Sequence, residues 1–175
     1  MIPKRRIIPV FIPNAGCEHN CVFCDQRRIT GADEPVIEDG KLKIENLESV
    51  TQQTELAFYG GSFTAISIER QKELLKAAQF FLKLNPLNSI RVSTRPDCID
   101  ELTIDRLISF GVATVELGAQ SMCDDVLSAA YRGHTASDTT RAAALVKNAG
   151  LNLVIHMMTD CRKIRAKNHC IPQGK

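Results

Sequence analysis

Short segments rich in β-branched and aromatic residues alternate with helical patterns along the chain, and this order constrains the fold more than any other feature. The predicted strands are Ile7–Ile12, Glu55–Tyr59, Ile90–Thr94, Val112–Leu117 and Leu153–Met157. The clearest helix begins after Ser67 and ends before Pro86. Further helical patterns lie at Asp100–Phe110, Cys123–Tyr131 and Ser137–Ala149. A weaker helical pattern is formed by Leu42, Leu47 and Val50. Strands that are joined through helices run parallel, with right-handed crossovers. The sequence therefore predicts an α/β fold.

The composition is typical of a folded domain rather than of a disordered or membrane-spanning chain. Of its 175 residues, 44% are hydrophobic and 24% are charged, which supplies enough apolar side chains for a core. No stretch reaches the roughly 18 consecutive apolar residues that a transmembrane helix needs. Pro9 interrupts the short apolar run near the N-terminus, which makes that run a poor secretory signal. We therefore expect a cytoplasmic protein without a membrane partner.

Charge is distributed unevenly between residues 1–158 and residues 159–175. The whole chain has 22 Lys and Arg against 20 Asp and Glu, a net charge of +2. Because residues 159–175 hold five of the basic residues and one of the acidic ones, residues 1–158 have 17 basic and 19 acidic residues. This balance gives no support to a nucleic-acid-binding face on the folded part. We expect two parts, a core at 1–158 and an atypical basic C-terminal tail at 159–175.

Three of the seven cysteines, Cys17, Cys21 and Cys24, lie within eight residues in a C-x3-C-x2-C pattern. They follow the first predicted strand at its carboxyl end, where parallel α/β folds place their chemistry. Three thiolates can hold three corners of a cubane iron–sulfur cluster, and the missing fourth ligand would leave one iron open. The same pattern also permits structural zinc, with His19 or a distant cysteine as the fourth ligand, or thiols that bind no metal.

The cysteine pattern, with Phe23 just before its last cysteine, resembles that of the radical S-adenosylmethionine (radical SAM) enzymes. The resemblance implies a 4Fe–4S cluster on Cys17, Cys21 and Cys24, with the open iron chelated by the amino and carboxylate groups of SAM. Reduction of such a cluster cleaves SAM to methionine and a 5′-deoxyadenosyl radical, which abstracts hydrogen from a substrate. A flavodoxin-like or ferredoxin-like reductant is the partner to expect. The implied fold is a partial (β/α) barrel.

Further motifs resemble the Elongator catalytic-subunit branch of that superfamily and, more distantly, oxygen-independent coproporphyrinogen oxidase. They are Gly60-Gly61-Ser62, Ser93-Thr94-Arg95-Pro96-Asp97, Val115-Glu116-Leu117-Gly118-Ala119-Gln120, Tyr131-Arg132-Gly133-His134-Thr135 and Ile155-His156-Met157-Met158. Relatives in the Elongator branch modify the wobble uridine of tRNA, so a tRNA uridine is the substrate that the resemblance implies. They also carry an acetyltransferase-like domain, for which this chain has no room. We therefore expect a shortened version of a longer enzyme, truncated after about residue 158, with the last strand or strands of the barrel missing.

The resemblance assigns SAM-binding roles to five residues. Gly60, Gly61 and Ser62 would contact the SAM amino group, while Gln120 and Arg132 would hold its ribose and carboxylate. Simpler interpretations remain open, because two glycines can merely make a sharp strand exit. An arginine after a helix can likewise simply be a favourable surface charge.

Four other polar residues receive weaker predictions, and no catalytic residue is identified. Arg95 could pair with a carboxylate or phosphate, and Glu116 is either a structural ion-pair partner or a site residue. His134 is expected at a helix cap or on the surface, and His156 in the core or the barrel interior. Two other functions stay open: a catalytically incompetent fragment, or a zinc-stabilised α/β binding module.

Overall fold

The computed structural model of the chain describes residues 6–12, 16–17, 21–24, 37–38, 40–43, 54–86 and 88–158. Its elements in chain order are β1 Arg6–Ile12, β2 Ile37–Glu38, β3 Lys41–Leu42, β4 Thr54–Gly60, α1 Ile68–Leu84, β5 Ser89–Thr94, α2 Glu101–Ser109, β6 Val112–Gln120, α3 Asp124–Ala129, α4 Ala136–Asn148 and β7 Asn152–Met157. The tail at 159–175 lies outside the described residues.

Five strands form one parallel sheet in the order β1-β4-β5-β6-β7, beside a two-stranded antiparallel hairpin of β2 and β3. Because the spatial order follows the chain order, every crossover steps in the same direction. Right-handed crossovers that all step one way place their helices on one face of the sheet. This arrangement is that of a (β/α) barrel rather than of a doubly wound sheet. The predicted parallel α/β fold is confirmed.

The hydrophobic core lies between the sheet and the helices. Leu56, Phe58, Ile90 and Val92 alternate along β4 and β5 and are at most 1% exposed, and they belong to one cluster with the apolar sides of α1, α2 and α4. Successive side chains of a strand point to opposite faces of the sheet. The face opposite the described helices is therefore lined by the intervening residues, among them Phe11, Tyr59, Arg91, Glu116 and His156. We call this surface the open face.

The helices begin within one residue of their predicted starts. Ser67 accepts a hydrogen bond from the backbone N–H of Arg70 and so caps α1. Asp100 caps α2 in the same way through the N–H of Thr103, at 2.7 Å. These bonds satisfy backbone donors that the first turn of a helix leaves unpaired.

Two local predictions are wrong. β6 does not end at Leu117 but continues through Gly118 to Gln120, where its register with β7 shifts. Leu42 does not begin a helix but lies in β3, because Gly40 adopts a positive φ of 70° and turns the chain back on β2. The other residues of that weak pattern lie outside the described part of the chain.

Within the described part, no helix is both long and apolar enough to cross a membrane.

The core on α2 can be tested with two leucines of the same helix. Leu107 is 0% exposed and Leu102 is 75% exposed. We expect Leu107→Ala to lower the free energy of unfolding by about 2–5 kcal/mol, since it removes buried methyl groups and leaves a cavity. Leu102→Ala should change it by less than about 0.5 kcal/mol. Urea denaturation of both variants measures the difference, and equal losses would contradict the core described above.

Candidate functional site

The cysteine segment packs against the loop that follows β4 through a glycine. Gly16 has a φ of 72°, and a Cβ atom at this position would lie 2.3 Å from the carbonyl oxygen of Ser62. No side chain fits such a gap, so only glycine lets the backbone approach so closely. The predicted cluster ligand Cys17 is thereby placed beside the predicted SAM-binding loop at 60–62.

The second contact of the cysteine segment is with Arg132, the residue after the turn that ends α3. The Arg132 guanidinium donates a hydrogen bond from Nη1 to the sulfur of Cys21 at 3.3 Å. Its Cζ atom lies 5.9 Å from the centroid of the Phe23 ring, within the range of a cation–π contact. The backbone N–H of Val22 also donates to the carbonyl of Ala130, at 3.3 Å. The predicted cluster ligands and the predicted carboxylate-binding arginine therefore belong to one site.

Arg132 is not a surface residue, which corrects the simpler of its two interpretations. It is 8% exposed, and its Nη2 donates to the carbonyl oxygen of Gly118 at 2.5 Å. Its Nε is buried and has no hydrogen-bond partner among the described residues. An unpaired buried donor is costly, so this atom is suited to an acceptor supplied by a ligand.

Gln120 lies next to Arg132. A Cβ atom built on Gly118 would lie 3.2 Å from the side-chain nitrogen of Gln120 and 3.3 Å from Nη2 of Arg132. Gln120 itself holds a φ of 66°, a left-handed conformation that is unusual for a residue other than glycine. Its carbonyl oxygen accepts a hydrogen bond from the N–H of Met158 at 2.9 Å, so the turn joins the end of β6 to the end of β7.

Gly60 and Ser62 each have a structural role at the loop after β4. A Cβ atom on Gly60 would lie 2.9 Å from the carbonyl oxygen of Ile12, and its φ is 106°, so glycine is required there by the packing of β1. The hydroxyl of Ser62 is 2.8 Å from that of Thr94 and accepts the N–H of Arg95 at 3.1 Å. The Ser62 side chain is therefore engaged with the end of β5, which brings a third loop into the site. Thr94, which the sequence did not single out, is the buried partner in this contact.

Positive charge surrounds the thiol of Cys17. Partial burial raises the pKa of Cys17, while the nearby Arg95 and Arg132 guanidinium groups oppose this rise because they stabilise the thiolate. Arg95 is itself paired with Asp97, with an Nε–Oδ1 distance of 3.0 Å. The predicted carboxylate partner of Arg95 is therefore its own neighbour.

The chain matches the profile of the Radical SAM superfamily over residues 11–160. The match includes the cysteine segment and all the loops gathered above. The chain belongs to the radical SAM superfamily.

Known relatives of this radical SAM chain include tRNA-modifying enzymes and Elongator subunits. A tRNA uridine(34) acetyltransferase of Methanocaldococcus infernus is 30% identical over 197 residues, covering 87% of this chain and 36% of that protein. Elongator complex protein 3 of Saccharomyces cerevisiae is 37% identical over 71 residues, covering 41% of this chain and 13% of that protein. The solved structure of an archaeal Elp3 of Methanocaldococcus infernus superimposes with a TM-score of 0.61 at 26% identity, covering 91% of this chain and 39% of that one. The chain thus spans little more than a third of these two archaeal proteins, and the resemblance to the Elongator branch is confirmed.

The cysteine segment of this radical SAM chain supplies donors of the kind that an iron–sulfur cluster needs. Cys17, Cys21 and Cys24 are thiols rather than disulfides, and all three are at least partly exposed. In the described residues, no three Cys, His, Asp or Glu side chains are grouped so that they could hold one metal ion. A cubane cluster binds each thiolate at a different iron, so its ligands need not converge on a single point as they would for zinc. The donor set therefore fits a cluster, and the buried Nε of Arg132 offers an anionic ligand a donor beside it.

His134 is a buried residue, so its expected place at a cap or on the surface was wrong. It is 5% exposed, its Nε2 lies 3.1 Å from the carbonyl oxygen of Ala119, and its Nδ1 has no partner among the described residues. Burial and the neighbouring Arg132 lower the pKa of His134, which favours the neutral ring. Its neighbour Gly133 has a φ of 74°, so the chain turns sharply between Arg132 and His134. Sequence alone could not show that this turn points both side chains inward.

Glu116 and His156 meet on the open face. The Nε2 of His156 lies 2.7 Å from one carboxylate oxygen of Glu116, and Nη1 of Arg91 lies 2.9 Å from the other. His156 is therefore paired and lies on the open face, but its side chain is 55% exposed, so it is not a core residue as one of its expectations had it. Glu116 is an ion-pair partner. No sequence pattern pointed to Glu55, which is 0% exposed and pairs with the same Arg91.

The junction of Gly16 with Ser62 generates a testable prediction. Gly16→Ala and Gly40→Ala should each cost about 1–2 kcal/mol of unfolding free energy, because both residues have a positive φ, 72° and 70°. Only at Gly16 would the added methyl group also overlap backbone, whereas nothing lies within 4 Å at Gly40. We expect Gly16→Ala to be clearly the more destabilising in urea denaturation. Equal losses would mean that the cysteine segment does not pack against Ser62.

Proposed function

We propose that this chain is a radical SAM core that binds a 4Fe–4S cluster through Cys17, Cys21 and Cys24 and binds SAM beside it. The observation that carries the proposal is the position of Arg132. One nitrogen of its guanidinium contacts a predicted cluster ligand, a second contacts the strand end beside Gln120, and the third is buried without a partner among the described residues. A guanidinium presents its N–H donors side by side in one plane, and a carboxylate is the ligand group that this arrangement binds best.

The other site residues would divide the recognition of SAM among them. The backbone of Gly60, Gly61 and Ser62 would approach its amino group, and the side chain of Gln120 would bond its ribose. Arg132 would hold its carboxylate while keeping Cys21 in place. The cluster, when bound and reduced, supplies the electron for the reductive cleavage of SAM. The remaining task of the chain is to present a substrate on the adjoining open face.

The proposed substrate is a uridine of tRNA. The support is the name of the archaeal relative, a tRNA uridine(34) acetyltransferase, together with its 30% identity over most of this chain. A flavodoxin-like or ferredoxin-like protein would supply the electron. We further propose that residues 1–158 form the radical SAM unit and that 159–175 are a separate basic tail.

Anaerobic reconstitution with iron and sulfide tests the cluster. We expect about four irons and four sulfides per chain, with a reduced EPR signal that changes when SAM is added. Cys21→Ala should lose most of this iron and the SAM response. Cys98→Ala is the matched control, since Cys98 is also a partly buried thiol but lies outside the cysteine segment, and it should retain both.

Two outcomes would overturn the proposal. Bound zinc without sulfide would identify a zinc-stabilised binding module. A chain that remains folded but takes up no iron after reconstitution would identify a catalytically incompetent fragment.

The role of Arg132 is tested by SAM binding to the reconstituted chain. Arg132→Met should weaken SAM binding by about tenfold or more, because a charge-assisted bond to the SAM carboxylate is lost. Arg141→Met is the control, since the Arg141 side chain is 51% exposed and pairs with Asp138 on α4. Calorimetric titration with SAM measures both variants. An unchanged affinity of Arg132→Met would remove Arg132 from the SAM site.

A further inference from the structure

We propose that the open face binds the target base of an RNA strand, with Phe11 and Tyr59 stacking on bases and His156 accepting a hydrogen bond from uracil. The inference deepens the proposed function and rests on it for the identity of the substrate. It depends on two features of the open face. One is the aromatic pair of Phe11 and Tyr59, and the other is an ionic row formed by Glu55, Arg91, Glu116 and His156.

The aromatic pair lies at the carboxyl ends of β1 and β4. Phe11 and Tyr59 are direct partners in the parallel register of these strands. Their ring centroids are 6.4 Å apart and their planes are inclined by 43°. Phe11 is 37% exposed on β1, an edge strand of the described sheet, and Tyr59 is partly exposed. Exposed aromatic rings on a rigid sheet are the usual platform on which proteins stack unpaired bases.

The ionic row crosses the sheet from β4 to β7. Arg91 on β5 pairs with the buried Glu55 and with Glu116, and Glu116 in turn pairs with His156. The hydroxyl of Thr114 donates to Glu55 at 2.8 Å. Buried charges are retained only when they are paired and hydrogen-bonded, so this row fixes its members in place. Burial and the nearby Glu116 carboxylate raise the pKa of Tyr59, while Arg91 opposes this rise, so the phenol end of Tyr59 lies near the row.

His156 is the exposed end of this row. Its side chain is 55% exposed, whereas that of Glu116 is 5% exposed. A carboxylate only accepts hydrogen bonds, so Nε2 of the imidazole must donate to Glu116. In the neutral ring Nδ1 is then an acceptor, held in one orientation by the buried carboxylate. This is the arrangement by which a carboxylate fixes the tautomer of a histidine.

The row ends beside the proposed SAM site. Met157, the residue after His156, is the register partner of Gln120, and the N–H of Met158 donates to the Gln120 carbonyl. A group that contacts His156 on the open face is therefore adjacent to the strand end that carries Gln120, which Arg132 contacts through the carbonyl of Gly118. Hydrogen abstraction requires the substrate to lie next to SAM, so the open face is where a substrate must bind.

A fixed imidazole acceptor favours uracil over cytosine. With N3 of the base facing Nδ1, uracil donates its N3 hydrogen, whereas the N3 atom of cytosine is an acceptor and would oppose the lone pair of Nδ1. Cytosine could donate only by shifting so that its N4 amino group faces the histidine. Stacking on Phe11 and Tyr59 does not distinguish the two bases, since both have a flat π-face. The two features therefore predict separate effects. Affinity arises from the rings rather than from phosphate contacts, which the charge balance of residues 1–158 does not favour, and base preference arises from His156.

Fluorescence anisotropy with labelled hexauridylate and hexacytidylate tests this separation on the full chain, without iron or SAM. We expect the wild type to prefer hexauridylate and Phe11→Leu to weaken both oligonucleotides about fivefold or more. His156→Ala should weaken hexauridylate alone, by about twofold to tenfold, and abolish the preference. His156→Gln can give an N–H to Glu116 and a carbonyl oxygen to the base, so it should restore part of the preference. Leu102→Ala is the control, because Leu102 is 75% exposed on α2, on the side of the sheet opposite the open face.

Three results would overturn the inference: no binding of either oligonucleotide by the folded wild type, an unchanged base preference in His156→Ala, or equal losses in Leu102→Ala and Phe11→Leu. A thermal unfolding midpoint for each variant shows that the chain is folded. Iron uptake and the SAM response of the same proteins are measured separately. If the wild type binds no RNA while the Phe11→Leu chain still forms its cluster, this inference is contradicted and the proposed function is unaffected.

Discussion

The strand order of the sheet is the constraint on which the rest of the structure depends. Each new strand is added on the same side of the one before it, so right-handed crossovers leave all the helices on a single face. That face becomes the apolar core. The opposite face receives the alternate side chains of the same strands without helices of its own among the described residues. The split between an apolar helical side and a polar open face therefore follows from topology.

The same order brings the functional loops together. All five strands are parallel, so their carboxyl ends lie along one edge, and the loops after β1, β4, β5 and β6 meet there. Gly16 permits the first of these loops to touch the second, and Ser62 joins the second to the third through Thr94. Arg132 connects the first to the fourth by bonding both Cys21 and Gly118. A single buried guanidinium thus couples the cysteine segment to the strand end that carries Gln120.

Buried charge distinguishes this site from an ordinary strand edge. Glu55, Glu116 and Arg132 are each at most 8% exposed, and an isolated charge in such a position would be strongly destabilising. Arg91 satisfies the two carboxylates on the open face, whereas Nε of Arg132 and Nδ1 of His134 lack partners among the described residues. Unsatisfied polar atoms of this kind occur where a protein awaits a ligand or stores strain. Their position beside the cysteine segment is the reason for placing SAM there.

The sequence by itself determined the parallel α/β fold, the cap of α1 and the grouping of three cysteines, because each depends on residues close together in the chain. The Ser67 side chain bonds a backbone N–H three residues further on, and the cysteine spacing is complete within eight residues. Only the tertiary structure decided that Arg132 and His134 are buried, that β6 continues to Gln120, and that Glu55 and Arg91 join Glu116 and His156 in one row. These features join residues that are between about 14 and 110 positions apart, through burial and hydrogen bonds. Local patterns carry no information on such contacts, since the desolvation that makes a charge need its partner arises only when the strands are assembled.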